Sequence, residues 1–207
     1  MATEIRPTEH VFIPGRTGSG KTFLARNYLA GYPRVIALDT KGTLSWPECP
    51  AADQLLITHL EELPEALRQK NKIIYRPAFE ELNRPFYEEF YKYCYLLGEC
   101  IVWTDEVMQV CPNPQTIPQY FSGIMTRGRE LGVAAWNLTQ RPATIPLVTM
   151  SEATHIFCFD LNMKEDRRRV VEVTEHEEFY TKPGFQVFWY YNMAGDDRPY
   201  RGKLVVK

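Results

Sequence analysis

Short, almost continuous apolar runs, each closed by a polar cluster, recur along this chain between segments of helical periodicity. His10–Pro14, Arg34–Asp39, Cys100–Glu106, Val133–Thr139 and Thr154–Phe159 show little polar alternation, which is the pattern of parallel strands covered on both faces. Lys72–Arg76 predicts a further short strand closed off by Pro77. Lys21–Leu29, Leu60–Gln69, Arg84–Gly98, Gln119–Leu131 and Lys164–Val173 read as helices between these runs. Phe86, Phe90, Tyr93 and Leu97 stand at helical spacing in the third of them and are expected to pack into the core. Thr43–Asp53 and the proline-rich Val110–Gln119 read as loops. The tail runs Gln186–Tyr191, turns through Gly195-Asp196-Asp197 and resumes at Gly202–Val206, which predicts an antiparallel hairpin at the sheet edge. Alternating strands and helices predict an α/β fold with a mostly parallel sheet flanked by helices.

Composition narrows the setting. A chain of 207 residues with 44% hydrophobic content is expected to form one domain, residues 1–207, around a well-buried core. The N-terminal residues carry no apolar signal core and no run approaches the twenty or so apolar residues of a membrane helix, so a cytoplasmic protein without a membrane span is expected. The five cysteines form no CxxC pair and the four histidines no short metal-ligand spacing, so buried free thiols are expected. Asn137-Leu138-Thr139 matches a glycosylation sequon inside an apparent buried strand and is a chance match. A net charge of −2 argues against a broad basic face, so any nucleic-acid contact is expected to be local.

The chemistry begins at Gly15-Arg16-Thr17-Gly18-Ser19-Gly20-Lys21-Thr22. A glycine, four residues, then Gly-Lys-Thr, set between a strand and a helix, is the phosphate-binding loop pattern. Its glycines let several backbone N–H groups face one phosphate, and the helix start adds a positive dipole end. Lys21 would reach the β- and γ-phosphates of ATP, and the Thr22 hydroxyl would ligate Mg²⁺. At the end of a later strand, Asp105 would hold the Mg²⁺ shell and Glu106 would polarise the attacking water as general base. Asp39, at the turn Asp39-Thr40-Lys41-Gly42, is either a contributor to that site or a turn-forming acid. Arg167-Arg168-Arg169 lies among Glu165, Asp166 and Glu172 and reads as a solvated face or subunit contact.

Arg127-Gly128-Arg129-Glu130-Leu131-Gly132, a buried strand, and then Thr139-Gln140-Arg141-Pro142 resemble a region of the FtsK–HerA superfamily of DNA-pumping ATPases. The phosphate loop, the strand ending in Asp39 with Lys41-Gly42 behind it, and the Asp105-Glu106 pair match the same superfamily in the same order, so the likeness covers roughly residues 10 to 160. It implies a RecA-like sheet with the glutamine-bearing strand between the loop strand and the Asp-Glu strand. It also implies that Gln140 senses the γ-phosphate, that Arg129 enters a neighbouring subunit's nucleotide site with Arg127 as second candidate, and that subunits form a ring, a hexamer, around double-stranded DNA. A motor core with no membrane anchor and no winged-helix module resembles the small genome-packaging ATPases of tailless icosahedral viruses with an internal membrane. That resemblance implies a host-cytoplasmic location and docking on a capsid vertex or portal protein.

Three other readings remain open at this level. One is a conjugation, secretion or filamentous-phage-type assembly ATPase that moves single-stranded DNA or protein. Another is a monomeric P-loop kinase, which would need an arginine-bearing lid over the donor phosphates, whereas Arg127 and Arg129 precede the sensor strand. The last is a non-hydrolysing nucleotide scaffold, which has no use for Glu106 as a base. The loop Pro112–Tyr120, following the catalytic strand, and the basic residues beside it are the candidate DNA contact.

Overall fold

The structure, a computed structural model, describes residues 3–205. In chain order the elements are β1 (Val11–Pro14), α1 (Lys21–Leu29), β2 (Val35–Leu38), β3 (Gln54–Ile57), α2 (Leu63–Gln69), β4 (Lys72–Tyr75), α3 (Arg84–Leu97), β5 (Ile101–Thr104), α4 (Val107–Val110), α5 (Gln119–Arg127), β6 (Ala134–Thr139), α6 (Val148–Ser151), β7 (His155–Cys158), α7 (Lys164–Thr174), β8 (Val187–Asn192) and β9 (Tyr200–Lys203). They build one nine-stranded sheet in the order β3-β4-β2-β5-β6-β1-β7-β8-β9. The first seven strands of that order are parallel, and β8 and β9 add to β7 as an antiparallel hairpin. The α/β sheet expected from the sequence is present. So is the strand neighbourhood implied by the resemblance, with β6 between β5 and β1.

The continuous apolar runs exist because both faces of the central strands are covered. Successive side chains of a strand point to opposite faces, so Ile36 and Leu38 enter one core layer with Phe12 and Val102. Val35 and Ala37 enter the other with Val11, Ile13 and Trp103. The first layer is filled by α2, α3, α5 and α7 through Ala66, Phe90, Tyr91, Phe121, Ile124 and Val170. The second is filled by α1 through Leu24, Ala25 and Leu29, and by Trp46 from the loop after β2. Trp46 meets Trp103 edge-on with ring centroids 5.5 Å apart. At the start of β1, buried His10 accepts a bond from Ala135 N at 2.9 Å on Nδ1. Burial and nearby Arg129 hold its pKa down at about 4, so the ring is neutral at pH 7.

Several boundaries differ from the sequence reading. β3 falls in a stretch to which the pattern assigns no element, because Leu55-Leu56-Ile57 is too short an apolar run for periodicity to tell strand from helix. The helix predicted over Gln119–Leu131 stops at Arg127 and tightens into a 3₁₀ turn over Gly128–Leu131. A Cβ at Gly128 would lie 2.5 Å from the Val133 carbonyl oxygen, so the turn passes directly under the entry to β6. The last strand begins at Tyr200 and ends at Lys203. It starts earlier than the expected Gly202–Val206, and Val206 lies outside the described residues. All five cysteines are buried and unpaired.

Candidate active site

Parallel strands deliver all their carboxyl ends to one edge of the sheet. The phosphate loop after β1, Asp39 after β2, Asp105 and Glu106 after β5, and Gln140 and Arg141 after β6 therefore share that edge. Within the loop, Gly15 N donates to Thr139 O at 3.0 Å and Arg16 N to Asp160 O at 2.7 Å, tying it to β6 and to the end of β7. A Cβ at Gly15 would stand 2.6 Å from Phe159 Cβ. Gly20 has φ +108°, a conformation open essentially to glycine alone, and a Cβ there would meet Leu204 Cδ1 at 2.2 Å.

Lys21 is buried and folds back over its own loop, donating from Nζ to Gly15 O at 2.6 Å and Arg16 O at 3.0 Å. Burial pulls its pKa down to about 8, with Glu106 and Asp105 opposing the shift and Lys41 adding to it. Thr22 Oγ1 donates to Asp105 Oδ1 at 3.1 Å. A hydroxyl and one carboxylate side by side at a phosphate loop fit Mg²⁺, which keeps water and phosphate oxygens as its other ligands. Among the described residues no group of three His, Cys, Asp or Glu side chains could hold a metal without such outside ligands.

Glu106 is 1% exposed, and both its oxygens are engaged. Oε1 accepts from Gln140 N at 3.2 Å and Oε2 from Gln140 Nε2 at 3.1 Å. Thr17 Oγ1 donates to Gln140 Oε1 at 2.7 Å, so the amide joins loop and acid. Lys41 was not singled out from the sequence beyond its place behind Asp39. Its Nζ stands 3.3 Å from Asp105 Oδ2 and 3.3 Å from Glu106 Oε2. Burial alone would lower its pKa, but the two acids outweigh burial and raise it. The signal in sequence was the polar turn at the carboxyl end of a buried strand. Asp39 itself takes the turn-forming role: it accepts from Thr43 N at 3.2 Å, Leu44 N at 2.9 Å and Arg76 Nε at 2.8 Å.

The structure therefore brings together Thr17, Lys21, Thr22, Asp105, Glu106 and Gln140. It does not bring Arg127 or Arg129 to them. Arg129 NH2 donates to Thr154 Oγ1 at 2.7 Å, just before β7 and so at the opposite, amino edge of the sheet. Arg127 ends α5 and lines an exposed pocket of about 310 Å³ with Tyr95, Tyr120 and Thr126. A cavity of about 470 Å³ at the amino edge, bounded by Arg34, Glu99 and Gly132, contains none of the predicted site residues.

Sheet order, phosphate loop and acid-bearing strand together define a P-loop NTPase fold. No protein-family model and no curated protein matches the sequence. Among solved structures the chain is similar to the genome packaging NTPase B204 from Sulfolobus turreted icosahedral virus 2 in complex with AMPPCP. The TM-score is 0.76 and the identity 16%, over 97% of this chain and 100% of that one. It is also similar to VirB4 of Thermoanaerobacter pseudethanolicus, with TM-score 0.62, 10% identity, 98% of this chain and 93% of that one. The N-terminal domain of zonular occludens toxin from Neisseria meningitidis follows at TM-score 0.54 and 16% identity, covering 96% and 94%. At these identities the likeness is one of fold.

Proposed function

We propose that this chain is a single-domain ATPase, residues 1–207, whose subunits form a hexameric ring that hydrolyses ATP to move double-stranded DNA into a preformed capsid. The observation that carries the ATPase reading is the contact set in which one amide, Gln140, spans the phosphate loop at Thr17 and the buried acid Glu106. A site that only held a nucleotide would need no buried carboxylate oriented beside the loop. The DNA-packaging reading is supported by the fold-level similarity to the viral B204 NTPase over 97% of this chain and 100% of that one.

In this reading Gly15–Thr22 cradles the phosphates, and Lys21 leaves the loop carbonyls for the phosphate oxygens. Thr22 and Asp105 would hold Mg²⁺, which when bound neutralises phosphate charge. Glu106 takes the proton of the attacking water once Gln140 has turned from it to the γ-phosphate. Arg129, with Arg127 as alternative, serves the neighbouring subunit's site, since neither lies at its own. The loop Pro112–Tyr120, exposed over residues 112–115, and the basic residues beside it are the proposed DNA contact, made to backbone rather than bases. No helix among the described residues is long and apolar enough to cross a membrane. In this reading the protein works in the host cytoplasm, docked on a capsid vertex or portal.

The likeness to VirB4 and to the zonular occludens toxin domain favours one second reading, a motor of a secretion or assembly apparatus acting on single-stranded DNA or protein. ATP turnover measured without DNA, with long duplex and with single strands, beside a native mass, tests both. Duplex stimulation of a ring is expected. Stimulation by single strands alone would replace the first reading with the second, and a monomer without turnover would remove both.

A further inference from the structure

Arg141 follows Gln140 at the carboxyl end of β6, and its surroundings give it more to do than close the strand. Its Nε donates to Asp166 Oδ2 at 2.9 Å. Asp166 is 1% exposed and sits in the first turn of α7, where the helix dipole favours a carboxylate. Its other oxygen accepts from Ala143 N at 3.1 Å, so the acid is held on both sides. The tether uses only Nε. Among the described residues neither terminal nitrogen of Arg141 has a hydrogen-bond partner, and the side chain is 40% exposed.

Arg141 lines a pocket of about 310 Å³ with Arg16, Thr17, Gln140 and Asn162. Thr17 belongs to the phosphate loop, and Gln140 is the group that touches Glu106. The pocket therefore opens beside the place where loop, amide and acid converge. Arg16 is paired more loosely, its Nε 3.7 Å from Asp160 Oδ2. A guanidinium fixed through one nitrogen by a buried acid presents its remaining donors as a fork, the geometry that fits two oxygens of one phosphoryl group.

We infer that Arg141, positioned by Asp166, contacts the terminal phosphate of a nucleoside triphosphate bound in its own subunit. The inference rests on the nucleotide-binding reading above and differs from the arginine proposed to arrive from a neighbour. Arg141 would read whether the terminal phosphate is present, in cis, from the strand end that also carries Gln140.

The test compares the affinities of ADP and of a non-hydrolysable β,γ-methylene ATP, both with Mg²⁺, for the full chain and for Arg141→Ala, Arg141→Lys and Asp166→Asn. Arg141→Ala is expected to weaken the triphosphate analogue by about ten- to a hundredfold, the range of a lost charge-assisted hydrogen bond, and to leave ADP unchanged. Arg141→Lys restores charge without the fork and is expected to recover little; Asp166→Asn shifts the analogue in the same direction by less. Equal loss of both nucleotides, or no loss, in variants whose melting matches the parent would overturn the inference. So would recovery of turnover when Arg141→Ala subunits are mixed into rings with Lys21→Ala subunits, since that would place the arginine in trans. Failure of the unaltered chain to bind either nucleotide would instead overturn the nucleotide reading, and this inference with it.

Discussion

Gln140 holds both carboxylate oxygens of Glu106, one through its backbone N–H and one through its side-chain amide. Each oxygen accepts one of these bonds and keeps a second lone pair, so the pair of bonds fixes the direction in which Glu106 can receive a water proton. Glu106→Gln is therefore expected to keep nucleotide affinity and to lose turnover by about 10² to 10⁴, the worth of a positioned general base. Gln140→Ala is expected to lower turnover as well, by freeing Glu106 but removing the amide from the γ-phosphate. Single-turnover hydrolysis beside equilibrium binding separates the two; near-parent hydrolysis by Glu106→Gln at saturating Mg²⁺ would remove Glu106 as the base.

Lys41 lies between Asp105 and Glu106 and is 32% exposed, so solvent screens part of its attraction. Lys41→Met is expected to destabilise the free protein by about 1 kcal/mol, because two buried acids then face each other without a cation between them. Adding Glu106→Gln to it should return part of that loss. A thermal-melt cycle over the two single variants and the double reads the coupling, and strictly additive shifts would show that Lys41 does not serve the acids.

Lys21 carries a pKa pulled down to about 8 in the free protein, against 10.5 for an ordinary lysine. Between these values the unfolded chain binds more protons than the folded one, so this residue makes stability rise with pH across that window. Phosphate replaces the lost hydration of the ammonium, so binding is expected to draw a proton onto Lys21 above about pH 8 and to weaken as pH rises further. Calorimetric titrations in buffers of different ionisation enthalpy measure the proton taken up. No uptake at pH 9 would mean that Lys21 is already charged in the free loop.

Arg129 is bound at the amino edge of its own sheet, away from its own phosphate loop. If it serves a neighbour, Arg129→Ala rings are expected to lose about 10³ to 10⁵ in turnover while keeping ATP affinity. Mixing Arg129→Ala subunits with Lys21→Ala subunits should regain turnover wherever an intact loop faces an intact arginine. No recovery in rings shown by mass to be mixed would leave Arg129 a fold residue, held through Thr154. Arg127→Ala, run in parallel, decides between the two arginines.

Leu204, 8% exposed, leans on Gly20 from the end of the hairpin. Leu204→Ala is expected to destabilise the protein by about 2 kcal/mol and to weaken nucleotide binding, because the loop loses the side chain packed against it. Gly20→Ala should abolish binding outright, through both the clash with Leu204 and its φ of +108°. Chemical denaturation and nucleotide titration of Leu204→Ala measure the pair; unchanged affinity at reduced stability would confine the hairpin to a structural part.

The local signals were legible wherever one stretch of chain carries its own reason. Buried on both faces, β1, β2, β5, β6 and β7 have no polar side to display, so their apolar runs marked them. The phosphate loop was legible because its glycines answer to backbone geometry inside eight residues. The edge strand β3 was not, since its three apolar residues, Leu55 to Ile57, are too few to leave a periodic trace. Helix α5 was read too long because its stop depends on how Gly128 packs against Val133, a contact that no helical periodicity records.

By itself, then, the sequence determined the order of strands and helices along the chain and the residues at each strand's end: Lys21 and Thr22, Asp105 and Glu106, Gln140. Tertiary structure decided which of those ends touch. Lys41 meets Asp105 and Glu106 across more than sixty positions of chain, Arg141 is aimed by Asp166 twenty-five positions on, and Arg129 is carried to the far edge of the sheet. Periodicity records which face of an element is buried. The choice of neighbouring strands, and with it the meeting of these side chains, is set by how the two apolar layers are jointly filled, and that is a property of the whole chain.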